Sequence, residues 1–135
     1  MLWKYLILVV VITFNLFLVV WSKGETMPKK TIAIDLDGVL NNYTKYANDI
    51  PEMRKGAKEF IIKLSKEYNL ILFTNRSCKL ATEWLIKNKL NDYFKDVTNV
   101  KPIATLYIDD RAINFKGDYD KTLNKIEGFR VYWKE

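Results

Sequence analysis

Histidine is absent from this chain of 135 residues, and cysteine occurs once, at Cys78. Without histidine there is no imidazole for a Ser-His-Asp or Cys-His arrangement and none to ligate zinc. A lone cysteine excludes an intrachain disulfide, and Cys78, on a predicted helix, reads as a small packed residue. Any metal must therefore be held mainly by oxygen, which makes Mg2+ the first expectation. An arginine-rich tract is also missing. The 22 basic residues are dispersed among 16 acidic ones, and the resulting formal charge of +6 suits an anionic partner without choosing among a phosphate ester, a nucleic acid and a lipid surface.

What the chain does have is one long apolar run. Leu2 to Trp21 reads LWKYLILVVVITFNLFLVVW, with Lys4 its only charge and Trp3, Tyr5 and Trp21 near its ends. At about 1.5 Å per helical residue it is long enough for a hydrocarbon core of roughly 30 Å, and aromatic rings favour the interface. The expectation is an uncleaved single-pass anchor over residues 1–22. The rival reading is a signal peptide, although VVWSKGE lacks the small residues of a cleavage site. Lys23, Lys29 and Lys30 follow the run and favour a cytoplasmic C-terminal domain. Residues 23–30, with Gly24 and Pro28, read as a linker.

Residues 31–135 alternate strand and helix patterns. TIAID reads as a buried strand, Arg54 to Tyr68 as a helix, NLILFT as a second strand and Ser77 to Leu90 as a second helix. A short apolar piece near Val97, the strand TLYID and a last strand near FRVYW follow. The expected architecture is α/β, a Rossmann-like parallel sheet with helices on both faces. Ligands in such sheets sit beyond the carboxyl ends of the strands. The polar clusters fall there: Asp35 and Asp37 after the first strand, Thr74-Asn75-Arg76 after the second, and Asp109-Asp110-Arg111 after the fourth. Lys101, just before Pro102, can reach the same edge.

DLDGVL, TNR, KP and IDDR, in that order, resemble the four motifs of the haloacid dehalogenase superfamily of phosphohydrolases. The resemblance covers roughly residues 31–116, and its specificity lies in the order of four motifs rather than in a lone DxD. It implies Asp35 as the nucleophile that forms an aspartyl-phosphate, and Asp37 as the general acid and base. The acid at Asp37 points to phosphoryl transfer rather than carbon–halogen cleavage. Thr74 and Asn75 would hold the phosphoryl oxygens, and Lys101 would pair with the phosphoryl group and the nucleophile. Mg2+ would be held by Asp35, the peptide carbonyl of Asp37 and Asp110, with Asp109 closer to a water-mediated ligand. Arg76 and Arg111 are candidates for substrate contact. The short spacing of KPIATLYIDDRAINF departs from the commoner layout, in which a helix separates the lysine from the last acids.

Taken singly, each motif has a plainer reading as a cap or turn. About 36 residues separate Asp37 from Thr74, so no cap domain fits there. Residues 41–53 form at most a small flap, in which Tyr43, Tyr46 and Asp49 are candidates for substrate contact. An open site suits a phosphorylated small molecule or a polymer end, with nucleotides and nucleic-acid ends among the candidates. The expected activity is Mg2+-dependent hydrolysis of a phosphomonoester. The alternatives are a degenerate binding module at a membrane and a phosphotransferase.

Overall fold

The computed structural model describes residues 27–43, 45 and 48–134. The expected anchor of residues 1–22 and the first half of the linker, residues 23–26, lie outside them, as does Tyr46. Among the described residues no helix is long and apolar enough to cross a membrane.

Four strands, β1 (Thr31–Ile34), β2 (Asn69–Phe73), β3 (Phe94–Thr98) and β4 (Leu106–Ile108), form one sheet in the order β3-β2-β1-β4. Every pairing is parallel. The register sets Ile32 beside Leu70 and Ile34 beside Leu72, so one face of the sheet is aliphatic. On that face sit helix α1 (Ala57–Ser65), which contributes Ile61, and helix α2 (Cys78–Lys87), which contributes Ala81, Trp84 and Leu85. Leu36, Leu40 and Leu90 complete the core. Side chains such as Leu72 and Ile61 are fully buried, and each contributes about 1.5 to 3 kcal/mol by leaving water.

Both β-α-β crossovers step in the same direction across the sheet, and right-handed crossovers in one direction lie on one face. Helix α3 (Tyr119–Glu127) buries none of its residues. The packed helical layer among the described residues therefore covers one face, where the sequence pattern suggests two. Ala33, Ile71 and Tyr107 share the opposite face by register, where Tyr107 meets Phe73 edge-on at 6.4 Å.

Element boundaries follow from local chemistry. Helix α2 ends at Lys87, and Lys89 then adopts a left-handed φ of 56° that no helix continues through. The segment FRVYW is not a strand: residues 129–131 lead into a 3-10 turn over Tyr132–Lys134. Tyr132 bonds to Gly38 in the loop after β1 and Trp133 to Asp110 beyond β4, and that engagement overrides the strand-like composition.

Candidate active site

The carboxyl ends of β1, β2 and β4 meet at one edge. Asp35 extends the β1–β4 ladder by one residue, donating its N–H to the Ile108 carbonyl at 2.9 Å. One carboxylate oxygen from each of Asp35, Asp109 and Asp110 lies within 4.8 Å of the other two. Such crowding is costly without a compensating positive charge. Desolvation first, and then the neighbouring Asp109, Asp37 and Asp110, push the Asp35 carboxyl up from 3.8 to about 7, against the stabilising hydrogen bond that it accepts from the Leu36 N–H.

Asp110 carries the strongest mark of a cation site. Its side chain is 1% exposed, and its Oδ2 accepts a hydrogen bond from Trp133 Nε1 at 2.5 Å. Its Oδ1 is buried without a hydrogen-bond donor, and the Arg111 Nε, at 3.9 Å, is too distant to supply one. With Arg111 only a long ion pair away, a buried carboxylate oxygen in that state calls for a positive partner in direct contact. An all-oxygen donor set of this kind fits magnesium, so the residues present suit the metal that the motifs imply.

Gly38 holds this geometry together. Its φ of +80° is left-handed, and a Cβ there would lie 2.4 Å from Asp110 Oδ2. The carbonyl of Gly38 accepts a hydrogen bond from the Tyr132 hydroxyl, which in turn takes one from Arg54. The C-terminal turn thus fastens the loop after β1 and the end of β4 together.

Asp37 lines the same crevice as Asp35 and Asp109 but has partners of its own. Its Oδ2 pairs with Arg76 Nε at 2.6 Å, and its Oδ1 accepts from Asn41 Nδ2 at 2.8 Å. Asn41 is fully buried and its own Oδ1 accepts from the N–H groups of Gly38 and Tyr43. One amide therefore fixes the turn of the first motif and one oxygen of its second carboxylate.

At the end of β2, Thr74 is 2% exposed; its N–H donates to the Thr98 carbonyl and its Oγ accepts from the Arg76 N–H. Thr74, Asn75 and Arg76 line a crevice of about 510 Å3 together with Asp35, Asp37, Asp109 and Arg111. Arg111 stands 5.3 Å from the Tyr43 ring and 5.4 Å from the Trp133 ring. A hydrogen bond with Tyr43 raises its pKa further above the ordinary arginine value.

Lys101 is placed differently. It is exposed, lies outside the crevice lining, and holds its ammonium 5.0 Å above the Tyr107 ring. The cations that do line the crevice are Arg76 and Arg111. Of the flap residues, Tyr43 is buried and lines the crevice, whereas Asp49 is exposed and does not. Asn41, Asn99, Tyr132 and Trp133 enter the site or its support without having been singled out from the sequence. For Asn99 the available signal was its place just beyond β3, at the same sheet edge.

No family model and no curated protein matches the chain. A solved structure of a conserved protein from Bacteroides thetaiotaomicron is similar to it, at 25% identity and a TM-score of 0.51, over 74% of this chain and 91% of that one. The two share a fold. The likeness brings no activity with it.

Proposed function

We propose that the protein is a magnesium-dependent phosphomonoester hydrolase of the haloacid dehalogenase type, working through an aspartyl-phosphate and tethered to a membrane by residues 1–22. The observation that carries the reading is the acidic trio of Asp35, Asp109 and Asp110 around a buried, donorless Asp110 Oδ1.

The residues divide the work. Asp35 holds one oxygen toward the Leu36 N–H, which leaves the other for attack on phosphorus. As the new bond between Asp35 and phosphorus forms, the bond to the leaving oxygen breaks, and Asp37 gives that oxygen its proton. Water then attacks the phosphorus of the aspartyl-phosphate, Asp37 takes the proton, and Asp35 is released as carboxylate with free phosphate. Asn41 and Arg76 orient Asp37 for both proton transfers. Thr74, Asn75 and Arg111 bind the phosphoryl oxygens from the crevice walls. Asp35, Asp109, Asp110 and the Asp37 peptide carbonyl would hold magnesium, which would offset the mutual repulsion of the carboxylates and the charge of the phosphoryl group.

The position of Lys101 favours a second reading, a non-catalytic module that binds phosphorylated ligands, because the expected basic partner of the nucleophile lies over Tyr107. Turnover separates the two. Full-length protein should hydrolyse an aryl phosphate with magnesium and lose that activity with chelator. Absence of turnover across a broad phosphoester panel would reject the enzyme reading, and transfer of phosphate to added alcohols or nucleosides would redirect it to a phosphotransferase.

A further inference from the structure

We propose that a second groove, continuous with the crevice, binds the anionic chain behind the phosphate to be removed, and that the substrate is the phosphorylated end of a single-stranded nucleic acid. The choice of end rests on the phosphatase reading above; the groove rests on its own geometry.

The groove has a volume of about 610 Å3, and Tyr43 and Arg111 line it as well as the crevice, so the two spaces adjoin. Their chemistry is opposite. The crevice carries Asp35, Asp37 and Asp109, whereas the groove carries Lys45, Arg111, Arg130 and Lys134, with no acidic residue among its described lining. Arg111 and Lys134 stand 5.4 and 5.6 Å from the centre of the same Trp133 ring, so two of these charges flank one indole. Half-buried Phe129 and Trp133 give the groove apolar surface between its cations.

A small monophosphate would occupy the crevice and engage Arg111, leaving Lys45, Arg130 and Lys134 beyond it with no acidic residue in the described groove lining. A leaving group that continues as a phosphodiester chain supplies both what the cations attract and what the aromatics can support, namely repeated phosphates and planar bases. Tyr43 and Arg111 border both spaces, so a strand would pass between them on its way from crevice to groove.

Fluorescence anisotropy with a labelled, terminally phosphorylated oligothymidylate, on full-length protein in chelator so that nothing is hydrolysed, tests this directly. For single strands the slope of log affinity against log salt is roughly 0.7 per phosphate contact. The double variant Arg130→Ala/Lys134→Ala should bind more weakly and with a slope shallower by roughly 1.4. A charge-matched control on α1 and just beyond it, Lys63→Ala/Lys66→Ala, should leave the slope unchanged. Equal slopes for wild type and groove variant, or an equal change in the control, would overturn the groove. Displacement of the strand by inorganic tripolyphosphate at equal phosphate concentration would overturn the assignment to nucleic acid. If a strand without the terminal phosphate binds as tightly while the groove variant still loses slope, the groove stands and the phosphatase reading is what falls.

Discussion

Asp35 faces two demands: a nucleophile must be ionised, yet burial and three neighbouring carboxylates raise its pKa to about 7. The unfolded chain releases the Asp35 proton near 3.8, so between these values the folded protein binds more protons than the unfolded one. The stability from this group is fully present below 3.8 and is lost as pH rises through about 7. In chelator, calorimetric melting should therefore fall from pH 4 to pH 8, with up to about 4 kcal/mol at stake for this one group. Magnesium should raise the melting temperature more at pH 8 than at pH 5, and Asp35→Asn should flatten the chelator profile. A profile in chelator that is the same for wild type and Asp35→Asn would contradict the assignment. The acidic residues were legible in the sequence because their motifs sit at strand ends. Asn41 was not, since an amide in LNNY looks like any turn residue until its burial and three hydrogen bonds are seen. The sequence places Lys101 within reach of the edge, but nothing in a one-dimensional pattern tells a lysine aimed at phosphate from one resting on Tyr107.

Two short elements hold the site, the turn after β1 and the C-terminal 3-10 turn. Gly38→Ala should cost about 1 to 2 kcal/mol for the left-handed backbone alone, and the added carbon must also displace Asp110. Calorimetry should show a lower melting temperature, and titration a weaker magnesium affinity; a variant with neither change would contradict the placement of Gly38 against Asp110. Trp133→Phe keeps a ring for the 5.4 Å edge contact with Tyr43 but removes the donor to Asp110. Magnesium affinity measured by calorimetric titration should weaken by about tenfold or more, with the fold retained. Unchanged affinity would show that the indole does not position the ligand. FRVYW has strand composition, but the conformation of the C-terminal turn is set instead by partners far away in the chain, Gly38 and Asp110.

At the level of the whole molecule, parallel order and the edge where the polar clusters gather followed from the alternation of apolar strands with helix-spaced patterns. The coverage of the sheet did not: alternation alone suggests helices on both faces, whereas both crossovers step in one direction, and α3, which the sequence pattern did not reveal, buries none of its residues. The apolar run of residues 5–21 predicts that full-length protein fractionates with membranes, and that Ile12→Lys/Phe14→Lys, at about 2.5 to 3.5 kcal/mol per lysine, releases it. Intact protein in the soluble fraction would contradict the anchor, and a shortened, secreted form would mark the run as a signal peptide. The most direct test of the central claim is to trap the intermediate: acid-quench the enzyme during turnover of a labelled phosphomonoester with magnesium, and map the label by mass spectrometry. The account predicts a hydroxylamine-labile phosphoryl group on the tryptic peptide of residues 31–45, at Asp35, absent from Asp35→Asn and from chelated protein. Turnover with no label on that peptide, or undiminished turnover by Asp35→Asn, would contradict it.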